Sequence, residues 1–146
     1  MAEYKRYPNR LGVGGWAVRG RWGVDRYLYT LHRLTGIGLL FYFVLHIIVT
    51  SARTFGQDTW ERAMSTVGHP LLHFGEFFVF LAFAFHAANG LRLVLVELGF
   101  AVGKPEEPEY PYRTSLNTQR PLMIVMMILA VLIMLIGGID FWKISH

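Results

Sequence analysis

The sequence predicts an all-α membrane domain with three transmembrane helices. Hydrophobic residues make up 53% of its 146 positions and aromatic residues 15%, a composition typical of an integral membrane protein. Three apolar runs each reach ~20 residues, the length that a helix needs to cross a hydrocarbon core about 30 Å thick. Backbone N–H and C=O groups in lipid must be paired within their own segment, so we expect these runs to be helical.

The chain divides into three parts. An N-terminal arm covers residues 1–33, the transmembrane domain covers residues 34–142, and a short tail covers residues 143–146. Within the domain, helices are predicted at about residues 34–52, 71–96 and 121–139. The second span is interrupted by ionisable side chains, whereas the third contains none.

Two connections join the spans and are predicted as loops. The first extends from about Thr54 to His69, and the second extends from Gly103 to Arg120. The second contains the segment KPEEPEYPYR, whose prolines and charges are incompatible with a continuous helix.

Positive charge is concentrated in the N-terminal arm. Seven Lys or Arg residues stand there against Glu3 and Asp25, whereas the region between the first two spans balances two arginines with two acids. Segments rich in Lys and Arg stay on the cytoplasmic side. We therefore expect a multi-pass protein of the cell inner membrane with its N-terminus in the cytoplasm. The arm is polar and lacks the short apolar core of a signal peptide.

Several function classes are excluded by the composition. The sequence has no cysteine, so a bound metal must be held by histidine or carboxylate. It contains no nucleotide-binding fingerprint and no grouping of nucleophile, base and orienting residue, so we expect a subunit without a catalytic centre of its own. Nucleic acid is not an expected partner, because no soluble domain with a basic face is visible.

Two histidines, His46 and His86, lie well away from the ends of the predicted spans, where ionisable residues are costly and are functional candidates. If Arg33 and Arg92 lie at equal depth on the cytoplasmic side, His86 lies about 9 Å and His46 about 20 Å into the membrane. A histidine nitrogen binds a metal at ~2 Å, so two axial ligands of one haem must lie at nearly one level. The two histidines are therefore predicted to serve different cofactors, each completed by another chain.

The segment HAANGLR, from His86 to Arg92, is favourable to a flat cofactor. Gly90 follows the histidine by one turn on the same face, and the small residues beside it leave room for a macrocycle. The same small residues also suit close packing of helices in lipid. Near the start of the first span, His32 and Arg33 place positive charge where haem propionates or another polar ligand head would meet it.

Together, LHRLTG at residues 31–36 and HAANGLR at residues 86–92 resemble the cytochrome b membrane-anchor subunit of succinate dehydrogenase, the larger of its two anchor chains. The resemblance covers roughly residues 26–100 and the plan of three spans. It implies a helical bundle with a second small anchor subunit. It also implies that the bundle seats an iron–sulfur subunit and a flavoprotein subunit, so that electrons pass from succinate to a quinone.

The resemblance also implies roles for individual residues. His86 would ligate the iron of a haem b, and His32 and Arg33 would lie beside its propionates. Apart from the resemblance, the spacing makes Gly90 a candidate neighbour of the cofactor, and Arg92 either contacts a propionate or extends to the cytoplasmic interface. Arg33 would border the quinone. Family members commonly have a serine four residues before that arginine, where this chain has Tyr29 followed by Thr30, and either hydroxyl is a candidate for the quinone contact.

His46 resembles the histidine that ligates a second, more distant haem in members with two haems. The resemblance therefore implies two b haems, and menaquinone as the quinone that two-haem members usually use. Two alternatives remain open from the sequence. One is a haem-free structural anchor of the same complex, and the other is an unrelated transmembrane haem b electron carrier. The roles of His73 and Glu76 are also left open.

Overall fold

The structure is a computed structural model and describes residues 23–104 and 115–144. Over these two stretches the chain forms helices only, without strands: α1 (Val24–Ser51), α2 (Gln57–Val67), α3 (Pro70–Glu97) and α4 (Leu116–Ile144), with a 3₁₀ turn at Ala52–Phe55. Helices α1, α3 and α4 are long and apolar enough to cross a membrane. The predicted fold class, all-α with three transmembrane helices, is confirmed. Most of the predicted arm, the proline-rich part of the second connection and the last two residues lie outside the described residues.

Helix α1 begins at Val24, ten residues before the start predicted from the apolar run. Its first turn contains Asp25, whose negative charge is favourable at the positive end of the helix dipole. The hydropathy boundary at Leu34 marks where lipid-compatible residues begin, whereas the backbone hydrogen bonds of the helix continue through the polar residues before it. At 28 residues, α1 is about 42 Å long and extends beyond the hydrocarbon core.

Helix α2 occupies a stretch that was predicted as a loop, and that prediction is wrong. Gly56, with φ of 102°, precedes the helix, and Gly68 follows it. The half-buried side chains recur at i, i+3, i+4 and i+7, a spacing typical of an amphipathic helix: Trp60, Ala63, Met64 and Val67. No proline or glycine interrupts the segment between the two glycines, so the helix was readable from the sequence.

Helix α3 has well-defined ends that match the predicted span of residues 71–96 to within one residue. His69 caps its start, because the Leu71 N–H donates to the His69 Nδ1 at 3.2 Å. Pro70 occupies the first helical position, where no N–H is needed. After Glu97 the chain turns at Gly99, whose φ is 90°, a left-handed conformation that glycine adopts without strain.

Helix α4 is longer than its predicted span of residues 121–139 by five residues at each end. The N–H of Gln119 donates to the Ser115 carbonyl at 3.1 Å, so helical bonding starts before Pro121. Pro121 is the sixth residue of the helix and has no N–H, so it cannot donate the backbone hydrogen bond to residue 117.

Helix α3 packs against both α1 and α4. The contacts run in opposite directions along each pair, so both neighbours are antiparallel to α3. The buried apolar residues lie along these two interfaces: Leu28, Leu39, Ala84, Phe85, Ala88, Met126 and Ala130. Most large apolar side chains of the three long helices point outward, onto the surface that lipid or a partner chain covers in a membrane.

The interface between α3 and α4 gives a first prediction. A Cβ at Gly137 would overlap the Phe80 ring, whereas a Cβ at Gly138 would lie 3.6 Å from Phe77, an ordinary contact. We expect Gly137→Ala to lower the free energy of unfolding by about 1 kcal/mol relative to Gly138→Ala, because the Phe80 ring must turn away. Both changes alter helix propensity equally. Thermal unfolding of the full chain in detergent, followed by circular dichroism, measures the difference, and equal midpoints would contradict the packing described here.

Candidate cofactor site between α1 and α3

Two histidine rings stack where α1 crosses α3. The imidazoles of His32, on α1, and His86, on α3, have centroids 3.9 Å apart and planes within 8° of parallel. Both side chains are half-buried. The sequence predicted both residues for one cofactor site, and the structure brings them into direct contact.

Each ring of the stack lies over a glycine of the opposite helix. A Cβ at Gly36 would stand 2.8 Å from Cε1 of His86, closer than side chains tolerate. A Cβ at Gly90 would stand 3.4 Å from Cε1 of His32. Gly90 was predicted to leave room for a macrocycle beside His86. In the structure the space above it is taken by the His32 ring, and the glycine that receives His86 is Gly36.

One nitrogen of His86 is held by α1. Its Nδ1 lies 3.1 Å from the main-chain carbonyl oxygen of His32 and 3.2 Å from the Thr35 hydroxyl. Thr35 was missed in the sequence, although His32, Thr35 and Gly36 follow the i, i+3, i+4 spacing of one helix face. Over the described part of the chain, the Nε2 of His86 forms no hydrogen bond with another residue.

Polar side chains continue along α3 beyond the stack. Arg92 is 5% exposed, and its guanidinium lies 3.5 Å from the carboxylate of Asp25 in the first turn of α1. Asn89 is completely buried, and neither end of its amide has a hydrogen-bond partner within the described residues. The Nδ1 of His32 and the Nε of Arg92 are also buried and without a hydrogen-bond partner there. A buried polar group without a partner is costly, so hydrogen bonds to these atoms from another group would stabilise this level of the interface.

Arg33 lies apart from its neighbour His32. Its side chain is exposed, and its guanidinium donates to the Tyr29 hydroxyl at 3.1 Å and lies over the Tyr29 ring, 5.5 Å from the centroid. His32 faces α3. Successive residues of a helix are 100° apart, so the Arg33 side chain points in a different direction. Thr30 stands three residues before Arg33 and forms no side-chain hydrogen bond with it in the described part of the chain. Of the two candidate hydroxyls, Tyr29 is the one that contacts the arginine.

His46 is separate from the stack. Its side chain is exposed, and its ring lies 5.9 Å from the Tyr42 ring. Because His86 contacts Gly36, ten residues before His46, the two histidines differ in level by about 15 Å. The sequence predicted about 10 Å from an equal depth of Arg33 and Arg92. Arg92 does not lie level with Arg33, because its guanidinium contacts Asp25, eight residues earlier on α1.

At the opposite end of α3, His73 and Glu76 form their own pair. The Nδ1 of His73 lies 3.1 Å from a carboxylate oxygen of Glu76, and its ring stacks on Phe141 with centroids 4.4 Å apart. This cluster fixes the start of α3 against the end of α4. It lies far from His86, and in the structure its side chains are accounted for by packing between the helices.

The geometry provides one metal ligand at the stack. Rings that lie face to face cannot approach one iron from opposite sides, so His32 is not a second axial ligand for His86. His46 is too distant along α1 to serve. Within the described residues, no group of three or more His, Asp or Glu side chains is arranged to hold a metal ion. Any iron at His86 would therefore take its opposite ligand from outside these residues.

The contact of His86 with Gly36 gives a second prediction. We expect Gly36→Val to lower the free energy of unfolding by about 2 kcal/mol relative to Gly38→Val, because the added side chain displaces an imidazole held by two contacts. Gly38 has no atom within 4 Å of the position of a Cβ, so its variant carries the same change in helix propensity without a clash. Thermal unfolding of the full chain in detergent measures both variants. If both lose the same stability, His86 does not depend on Gly36.

Two comparisons bear on this arrangement. The sequence matches the model of a protein family described as succinate dehydrogenase/fumarate reductase transmembrane subunit over residues 17–135, most of the chain. It is also similar to succinate dehydrogenase 2 membrane subunit SdhC of Mycobacterium tuberculosis, with 25% identity over 69 residues. That alignment covers 47% of this chain and 51% of the relative, so the chain matches about half the length of this protein.

Proposed function

Because the chain belongs to the succinate dehydrogenase/fumarate reductase transmembrane subunit family, we propose that it is the haem b-binding membrane anchor of a succinate:quinone oxidoreductase. The observation that carries this proposal is the hydrogen bonding of the two ring nitrogens of His86. Its Nδ1 contacts α1, and its Nε2 is left without a hydrogen bond among the described residues. A histidine that ligates a metal usually has its other ring nitrogen held by a carbonyl or carboxylate in this way.

The residues around His86 can supply one ligand to a haem iron and hydrogen-bond donors for its propionates, but not a second ligand. The imidazole is fixed in place by the backbone of α1, and the buried unpaired atoms of Asn89 and Arg92 lie further along α3. Donors at that level suit the propionates of a haem, since Asn and Arg both donate hydrogen bonds to carboxylates. A companion anchor subunit would supply the other ligand and would complete the helical bundle.

Bound haem b supplies one-electron transfer, with a potential set by its axial ligands and their hydrogen bonds. The contribution of this chain is to hold His86 at a defined level, to keep its ring rigid between α1 and α3, and to exclude water from the interface. It performs no reaction at carbon. The oxidation of succinate is assigned to a flavoprotein subunit, and an iron–sulfur subunit seated on the cytoplasmic face carries the electrons to the membrane.

The quinone is proposed to bind near the start of α1, at Tyr29 and Arg33. The arginine is exposed and shares a face with the tyrosine hydroxyl, so both can donate to a quinone carbonyl. Thr30 forms no hydrogen bond with Arg33 among the described residues and is the weaker candidate. The excess of Lys and Arg in the N-terminal arm supports a cytoplasmic N-terminus in the cell inner membrane, with this end of α1 near the soluble subunits.

His46 is proposed to ligate a second haem b, about 15 Å from the level of His86. Its exposed side chain faces outward from the three helices, where a companion subunit would supply the opposite ligand. His46 and His86 would hold haems at two levels of the membrane, which would supply one-electron transfer between them, and menaquinone is the proposed quinone for such an arrangement.

Absorption spectroscopy of the purified complex tests the proposal. Reduction with succinate should produce the α band of a b-type cytochrome, and a pyridine haemochrome assay should return two haems for each flavin. A single haem for each flavin would contradict the role of His46. A haem that is reduced by another donor and not by succinate would identify a different transmembrane electron carrier.

A haem-free structural anchor is the second candidate function, and one observation favours it. The His32 and His86 rings fill the hollows over Gly90 and Gly36, so both histidines already have a role in packing the helices. In that case the same helices would seat the soluble subunits and the quinone, and the complex would contain flavin without haem absorbance.

A further inference from the structure

We infer that Thr35 is a positioning residue for His86: its hydroxyl, together with the His32 carbonyl, holds the imidazole in the tautomer that carries hydrogen on Nδ1. The inference rests on the proposed function, in which the Nε2 of His86 binds haem iron. It adds a residue that sets the orientation and basicity of that ligand.

The tautomer follows from the chemistry of the contacts. The His32 carbonyl oxygen can only accept a hydrogen bond, so the Nδ1 that lies 3.1 Å from it must carry the hydrogen. The lone pair of the neutral ring then lies on Nε2, on the other side of the imidazole. This is the nitrogen that a metal requires.

The hydroxyl of Thr35 acts as the second acceptor. Its single hydrogen is directed to a main-chain carbonyl of α1, either that of Leu31 at 2.8 Å or that of His32 at 3.0 Å. The oxygen therefore presents a lone pair to the His86 Nδ1, at 3.2 Å. Nδ1–H donates to two acceptors on α1, and the ring cannot rotate about χ2 without losing both of them.

Loss of the hydroxyl should weaken His86 as a ligand. Valine has nearly the shape of threonine but no acceptor, so Thr35→Val leaves Nδ1–H with the His32 carbonyl alone. A weaker hydrogen bond on Nδ1 makes Nε2 less basic, so it donates less electron density to iron and stabilises the ferric form less. Affinity for haem should fall on the order of tenfold, and the midpoint potential should rise.

Solid-state nitrogen NMR of the full chain in lipid tests the inference without haem. With histidine rings labelled with ¹⁵N, and with the His86 signals assigned by their absence in His86→Gln, the wild type should show hydrogen on Nδ1. Thr35→Val should shift the Nδ1–H proton upfield and populate the second tautomer, whereas Thr35→Ser should resemble the wild type. Thr50→Val is the matched control, because Thr50 donates to the His46 carbonyl at 2.7 Å in the same manner but lies away from His86.

A redox titration of the assembled complex provides the second measurement. The haem assigned to His86 should have a higher midpoint potential in Thr35→Val, and a potential near that of the wild type in Thr35→Ser and Thr50→Val. Hydrogen on Nε2 in the wild type, or identical His86 spectra for Thr35→Val and the wild type, would overturn the inference. If the complex contains no haem, the proposed function fails while the NMR result still decides the role of Thr35.

Discussion

Replacement of His86 by glutamine is expected to remove one of the two proposed haems and to leave the complex assembled. Glutamine retains an amide that can donate to the His32 carbonyl and the Thr35 hydroxyl, so the packing of α1 on α3 should largely survive. It offers no imidazole lone pair to iron. The reduced-minus-oxidised spectrum should lose one b-type component, and the haemochrome assay should return half the haem of the wild type.

The other histidines provide matched variants for this experiment. His46→Gln should remove the other haem and leave the component assigned to His86, because the two levels are about 15 Å apart. His73→Gln, on the same helix as His86, should retain both haems, since His73 contacts Glu76 and Phe141. Full haem content in His86→Gln would show that this histidine is a packing residue.

Loss of the charge on Asp25 is expected to destabilise the fold by about 3 kcal/mol, because it leaves the buried guanidinium of Arg92 without its partner. The Arg92 side chain is 6% exposed and that of Asp25 is 30% exposed, so the arginine depends more on the pair than the carboxylate does. Asp25→Asn preserves the shape of the side chain and removes only its charge. Thermal unfolding of the full chain in detergent measures the loss.

A double-mutant cycle separates the interaction energy between Asp25 and Arg92 from the other effects of each substitution. Arg92→Met alone should be milder than Asp25→Asn, since water can reach the carboxylate that it leaves. The double variant Asp25→Asn with Arg92→Met should be more stable than Asp25→Asn alone, because the buried charge is gone. Asp58→Asn changes an exposed residue of α2 and serves as the control. Additive losses in the cycle would mean that Asp25 and Arg92 do not interact.

The transmembrane plan was predictable from the sequence, because long apolar runs have only one stable backbone form in lipid. The ends of the helices were less predictable. Hydropathy marks the border of the lipid, whereas a helix ends where its backbone bonding ends, and α1 and α4 both continue into polar residues. Helix α2 was not predicted, although Trp60, Met64 and Val67 recur at the spacing of one helix face.

The candidate site was predictable within each helix and not between helices. Spacing alone indicates that His86, Asn89 and Gly90 lie on one side of α3, since the periodicity of a helix fixes neighbours three and four residues apart. The level of α3 relative to α1 depends on contacts between residues far apart in sequence. The pair of Asp25 with Arg92 and the position of His86 on Gly36 were therefore beyond the reach of local patterns.

The stacked His32 and His86 rings, each packed against a glycine of the opposite helix, restrict the register of α1 along α3. Lipid tails are as apolar as leucine, so burial of apolar surface alone gives two membrane helices little preference for one register over another. Here a Cβ at Gly36 would stand 2.8 Å from the His86 ring, so the observed register depends on glycine at residue 36, while a Cβ at Gly90 would be in close contact with the His32 ring. The contacts between the two motifs therefore favour one register of α1 against α3. This register sets the level of the His86 ring relative to α1.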